Sequence, residues 1–426
     1  MPQEPSHLVE ALAILQGTAS LSQVRNPAEF LIYSHGKPDR TPERKQADVL
    51  KAALGYLMVG VPSLSPGAAS EAALAILRWA SGERAAVPDD PSHPGNREVI
   101  AYALSAFDWY PVWASLPEAA QTTAAKLLLD HIRRGPEDPV RVPELRWESP
   151  FFSALLTAAQ QHVFLTYPRE VRAEISDSFF RYATRDAEML ESRMIVYLSR
   201  EHLFRYLSDP QRERIAMWLL LQARSVRMHL GDILVRLSCR HIFRVLSEDE
   251  RRAAADLLVR YAAQEIRIES SRSMVRVRIE PAAFSLAGLA KGHVFRSLSL
   301  PNQSRVASLM LSYATERLPL DPVRPERDQT RETAIKRGLE GLRREWIFNA
   351  LSAEQKQAAI RILLHHAERG PVHQSADDAT RFVYDDTRIG FSGRARRALA
   401  RPFVRAALSP EDLARLGALG IRPSLS

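Results

Sequence analysis

Apolar residues recur along this chain at a helical spacing, and they do so in step with one short phrase. The phrase is an apolar pair, usually containing Phe, followed by Leu-Ser or Leu-Pro and a polar turn. It reads HVFLTYP from His162, HLFRYLS from His202, HIFRVLS from His241, HVFRSLS from His293 and WIFNALS from Trp346, and weaker copies end at Ser65, Pro117 and Ser409. Aligned on the last residue of the phrase, the anchors are Ser65, Pro117, Pro168, Ser208, Ser247, Ser299, Ser352 and Ser409. Seven of them precede stretches whose apolar positions fall 7, 8, 11, 12 and 15 residues later, as at Ile215, Ala216, Leu219, Leu220 and Ala223, or Val306, Ala307, Met310, Leu311 and Ala314. Steps of three and four gather on one side of an α-helix and would scatter over both faces of a strand, so these stretches are predicted to be helices. The anchors read as N-caps, because a Ser hydroxyl accepts from the free amides of a first turn. Ser208 with Gln211 and Ser247 with Glu250 also fit the reciprocal capping box. Upstream, 191–207, 230–246 and 281–298 read as the other helix of each pair. Ala at the last stripe position (Ala80, Ala183, Ala223, Ala262, Ala314, Ala367) predicts close helix approach.

Successive anchors lie 52, 51, 40, 39, 52, 53 and 57 residues apart. Self-similarity at such a spacing is the mark of a stacked repeat array, in which each unit buries its apolar side against its neighbours. The expected fold is therefore all-α: a right-handed α-solenoid of about eight antiparallel helix pairs. An irregular helical cap is expected over 1–42, one elongated repeat domain over 43–421 and a tail over 422–426. The pattern resembles the HEAT and armadillo-like solenoids, whose repeats have about this length. That resemblance implies the fold and carries no functional residue across.

A bare repeat takes 39 or 40 residues here, so the longer steps hold insertions at 84–95, 134–150, 266–280, 316–329 and 370–391. All follow the same helix of the pair and should emerge along one edge. Four are rich in Pro and charge, which favours extended or turn structure. The alternation in MVRVRIE, Met274 to Glu280, instead reads as a strand that could pair with Glu265 to Glu269. Insertions gathered on one edge are often the binding face of a repeat protein, and Trp147 and Arg324 stand in two of them as candidate contacts.

The chain carries a formal charge of +8, and 51 of its 58 basic residues are Arg. This favours acidic partners in a general way. A GC-rich genome would produce the same Arg bias. Cys239 is the one cysteine, so no intrachain disulfide can form. The start MPQEP lacks the basic and apolar regions of a secretory signal, and no apolar run reaches the roughly 18 residues of a membrane span. A cytoplasmic location is expected, with delivery as a secreted effector the alternative.

His162, His202, His241 and His293 form a column six residues before their anchors. Stacked helices stand about 8–10 Å apart and zinc ligands about 2 Å from the metal, so these rings are expected to pack or bond along the array, and no metal is expected. A second column fourteen residues after the anchors holds Trp79, His131, Tyr182, Tyr261, Tyr313 and His366, whose rings are expected to pack while the polar tips stay wet. Stacking on nucleic-acid bases is the alternative. Arg205, Arg244 and Arg296 end one helix, where the dipole favours a cation. Arg172, Arg212 and Arg251 begin the next, where it does not, and the nearby acids Glu170, Asp209, Glu248 and Glu250 could neutralise them. Otherwise they form a stripe for phosphate or acidic peptide.

Catalytic signatures are scarce: HExxH, GxxxxGK[ST] and GxSxG are absent, and Cys239 is expected in the middle of a packed helix. The expected function is non-enzymatic, a scaffold holding a protein or peptide partner, acidic in character, on a concave helical surface and one loop edge, with no cofactor. Nucleic-acid binding through the Arg ladders is the runner-up. The cluster Asp108, Trp109, Tyr110 and Trp113 keeps a DNA glycosylase of the HEAT-like type as a distant third.

Overall fold

The computed structural model describes residues 6–16, 42–86, 93–136, 149–184, 192–225, 230–265, 276–315, 328–368 and 382–423, and among these every regular element is a helix. Trp147 and Arg324 lie outside the described residues, as do most of the insertions. The chain divides into two compact units, 1–188 with 202–207, and 189–201 with 208–426. In the first unit, Ser6–Gln16 packs on Pro42–Gly60, and Pro66–Ala80, Pro94–Ser105, Tyr110–Ser115, Glu118–Arg134, Pro150–Ala158 and Arg169–Thr184 follow. The second unit runs from Ser192–Leu198 through Asp209–Ser225, Leu230–Leu237, Glu248–Ala262, Arg276–Leu289, Leu300–Ala314, Asp328–Leu342 and Ala353–Glu368 to Phe382–Leu399 and Pro410–Ala418. In both units helices pack chiefly on their near neighbours in sequence.

The helices after the anchors form where expected, although the Ser299 side chain makes no cap bond. Ile215, Ala216, Leu219, Leu220 and Ala223 are buried, as are Val306, Ala307, Met310, Leu311 and Ala314. Ser247 and Glu250 form the complete capping box, and Ser352 with Gln355 forms another (3.1 and 3.2 Å). Ser208 and Gln211 show one half, the Ser208 amide donating to Gln211 Oε1 at 2.9 Å. Of the stretch read as a strand, 276–280 instead opens the helix Arg276–Leu289, and 274–275 lie outside the described residues, as do 266–269. Seven alternating residues are outweighed by the helical register of Ala282, Ala283, Leu286 and Leu289, all buried just downstream. The helices beginning at Asp328 and Phe382 likewise reach back into the stretches read as insertions.

The helices before the anchors from Pro168 onward differ from expectation in one respect, because each is broken, whereas Pro42–Gly60 before Ser65 runs on unbroken. Nine residues ahead of the anchor a small residue closes the last turn: Ala159, Ser199, Ser238, Ala290 and Ala400 donate their amides to the carbonyls four residues back. At Gln160, Cys239, Lys291, Arg344 and Arg401 the following residue is extended, with ψ between 125° and 138°, and a four- or five-residue helix carries the apolar pair. At Ser199 and Ser238 the hydroxyl donates back to Val196 O and Val235 O, both 2.7 Å, meeting carbonyls the broken ladder leaves open.

The break also supplies the partner of the histidine column. His202 donates to Ala159 O (2.7 Å), His241 to Ser199 O (2.7 Å), His293 to Ser238 O (3.0 Å) and His162 to Phe107 O (2.9 Å), each across roughly one repeat. A carbonyl only accepts, so each ring carries a proton on Nε2. Burial lowers the pKa of His293, with help from the nearby Lys291, Arg240 and Arg244, and so keeps that ring neutral despite the opposing hydrogen bond. The column is structural, bonding along the chain.

The second ring column packs as expected, but the polar tips of four of its rings are not in water. Trp79 Nε1 donates to Leu15 O (2.9 Å), Tyr261 Oη to Ala223 O (2.6 Å), Tyr313 Oη to Ala262 O (2.9 Å) and His366 Nε2 to Ala314 O (3.1 Å). The acceptors sit in last turns, where a helix has no amides left for its carbonyls. In three of the four pairs the acceptor is the small Ala of the stripe, which lets the next repeat's ring reach over it. Desolvation raises Tyr261 to about 12 and raises Tyr313 as well, as expected of phenols held as donors. Rings at most 5% exposed cannot stack on bases, so that alternative falls for these four. Helix Glu248–Ala262 ends with Gln264 at φ 56° and the Glu265 amide on Arg260 O (2.9 Å), which turns the Gln264 amide onto Tyr313 Oη (3.0 Å).

Candidate functional site

The arginine ladders separate once their partners are known. Arg172 is half-buried, and its guanidinium donates to Leu165 O (2.6 Å) and to Tyr206 Oη (3.2 Å). The same side chain lowers the pKa of Tyr206, and Arg205 lies 5.0 Å from that ring. Arg172 therefore staples a turn, as Gln121 and Gln303 do four residues after their own anchors by donating to Leu116 O and Leu298 O. Arg212 pairs with Asp209 at 3.2 Å, as the sequence suggested.

Arg251 stands differently. Of the acids proposed to neutralise it, Glu250 is held in the capping box and Glu248 pairs with Arg252. Arg251 and Arg252 line a groove of about 550 Å³ together with Glu248, Asp256 and, from the next turn, Arg296, Ser297, Leu298 and Ser299. Arg251 and Arg296 make no ion pair among the described residues, whereas Asp256 accepts from Asn302 Nδ2 at 2.8 Å. One member of each ladder thus meets its counterpart in a cleft that has charge of both signs and two serines. Arg244 is exposed at the end of its short helix, where the dipole alone accounts for it.

Cys239 is not in the middle of a helix. It is the extended residue of a break, half-buried, with its thiol 3.4 Å from Val235 O and 4.0 Å from Lys291 Nζ, while Lys291 donates to Ser238 Oγ at 2.9 Å. Burial lowers the pKa of Lys291. Trp109 and Tyr110 are exposed, and the rings of Tyr110 and Trp113 lie 5.5 and 6.2 Å from His162, which they shield at its bond to Phe107 O. His366 is committed to Ala314 O, and no three His, Cys, Asp or Glu side chains gather as a metal site among the described residues.

Sequence reading missed a cationic neighbourhood where helix Asp328–Leu342 packs on Phe382–Leu399. Arg337 and Arg394 share Glu340, at 2.7 and 3.0 Å, and burial, with the charges of Arg401, Arg344 and Arg397, lowers the pKa of Arg343 nearby. The signal was available in the basic residues eight positions before the anchors, Lys291, Arg344 and Arg401. It becomes legible only once the helix break is known.

No family model matches the sequence, and no curated protein matches it. Among solved structures, the chain aligns with a crystal structure of an engineered protein from the Northeast Structural Genomics Consortium, at 14% identity and a TM-score of 0.40, over 97% of this chain and 92% of that one.

Proposed function

We propose that this protein is a non-enzymatic scaffold, a right-handed α-solenoid of about eight HEAT- or armadillo-like repeats that holds an extended segment of a protein partner. The groove formed by Arg251, Arg252 and Arg296 carries the reading. A peptide presents backbone donors and acceptors as well as side-chain carboxylates, and the groove offers guanidinium donors, serine hydroxyls and two acids to match them. The nucleophile- and base-type side chains support a non-enzymatic role, because the column histidines are spent on backbone carbonyls. The same repeated clamps favour a stiff stack, since each ties one repeat to the last turn or break of the one before.

The test is a capture from native cells in which bound protein and nucleic acid are both identified, using the wild type and an Arg251→Glu, Arg296→Glu variant. A discrete protein set that resists nuclease and disappears from the variant is the expected result. Recovery of nucleic acid by both forms would overturn it.

A further inference from the structure

Four residues after their anchors, Gln121, Arg172 and Gln303 donate to carbonyls of the adjoining turn, and Arg212 pairs with Asp209. Arg251 holds the same place and does neither: its guanidinium makes no hydrogen bond or ion pair among the described residues. The guanidinium of Arg296, an exposed residue three positions before the next anchor, is equally unpaired. A cavity brings the two together. Both line the groove of about 550 Å³ that lies between the first turns of Glu248–Ala262 and the turn leading into Leu300–Ala314.

The other polar groups of the lining are engaged, with one exception. Arg252 is held by Glu248, Asp256 accepts from Asn302 Nδ2, and Ser297 Oγ donates to His293 O at 3.0 Å. The exception is Ser299. Ser247, Ser352 and Ser409 accept from the first turns of their helices, whereas the Ser299 side chain makes no cap bond and leaves its hydroxyl to the groove. With Glu248 neutralised by Arg252, Asp256 is the one acid of the lining set against Arg251 and Arg296, so the groove keeps a positive charge.

Two guanidinium forks and a hydroxyl therefore line one space with no acceptor of their own. One carboxylate does not fill both forks. Arg133 alone takes both oxygens of Glu174, at 2.8 and 2.9 Å, and where Arg337 and Arg394 share Glu340 each receives a single oxygen. A phosphate monoester brings three acceptor oxygens and about two negative charges on one phosphorus, enough to serve both forks and the hydroxyl together.

We propose that Arg251 and Arg296, with Ser299, bind a phosphorylated side chain on the partner segment that the groove holds. This rests on the scaffold reading above.

Titration calorimetry with the full chain tests it, using a Gly/Ser peptide that carries one phosphoserine, its unphosphorylated twin, a twin with Glu at that position, inorganic phosphate and a thymidine single strand. The phosphopeptide should bind at least about ten-fold tighter than either twin, and Arg251→Gln or Arg296→Gln should each remove about ten-fold. Arg260→Gln, exposed on the same helix and outside the groove, should leave binding unchanged. Because neither groove arginine is bonded within the chain, both Gln variants should keep the wild-type melting temperature, which separates lost binding from lost folding. Equal binding of the phosphopeptide and either twin would overturn the proposal, as would undiminished binding by both Gln variants. So would inorganic phosphate or the single strand binding as tightly as the phosphopeptide. If the phosphopeptide fails while the Arg251→Glu, Arg296→Glu variant still loses its protein partners, only this inference falls. If phosphopeptide binding holds while the captures recover nucleic acid with both forms, the scaffold reading falls instead.

Discussion

Replacing Gly338 by Leu should unfold the chain or cost more than about 3 kcal/mol, and even Gly338→Ala should cost about 1–3 kcal/mol. A Cβ at Gly338 would stand 2.7 Å from the Ala314 amide nitrogen and 2.8 Å from Met310 O. Both are backbone atoms of the neighbouring helix Leu300–Ala314, so no side chain can swing away and the helices themselves must part. Ala314 meets this glycine from the other side, which is the close approach that Ala at the last stripe position predicted. Parting them would also disturb the bond from His366 to Ala314 O. The control is Gly393→Ala, where nothing lies within 4 Å of an added Cβ. There the loss of unfolded-chain freedom should stabilise by about 0.5–1 kcal/mol. Urea unfolding followed by circular dichroism reads both, and equal midpoints for the two Ala variants would contradict the packing described.

Removing the ring of Tyr313 should cost about 3–5 kcal/mol as Ala, the range for emptying a buried aromatic site. Tyr313→Phe isolates the polar part. It keeps the ring and leaves Ala262 O and the Gln264 amide without the phenol, at about 1–3 kcal/mol. Ala262 is the last residue of its helix, so no downstream helical amide serves its carbonyl. Were the tip in water, as the sequence suggested, Tyr313→Phe would change the unfolding midpoint hardly at all.

The helices after the anchors were legible because a period of 3.6, a capping serine and an alanine at a fixed offset all report local geometry. The breaks before them were not. A residue such as Ser238 sits well inside a helix or ends one, and only the carbonyl it exposes to His293 of the following repeat decides which. The histidine column was visible as a column, but its acceptors lie 42 to 55 residues away. The strand pattern gave way to helix from Arg276 on for the opposite reason, since a short local alternation says nothing of the buried helix it leads into. For the binding surfaces, charge was visible but pairing was not. Arg172 and Arg251 hold the same place in the pattern, yet one is tied to Leu165 O and Tyr206 and the other opens onto a groove.

The ring-to-carbonyl clamps at the breaks are tested most directly by proton spectra of the protein carrying isotope-labelled histidine. His162, His202, His241 and His293 should each show an Nε2-bound proton that persists at neutral pH and exchanges slowly with water, and each should vanish in turn when its histidine is replaced by Phe. Ring protons lost to rapid exchange at all four positions would mean that the repeats are not joined in this way.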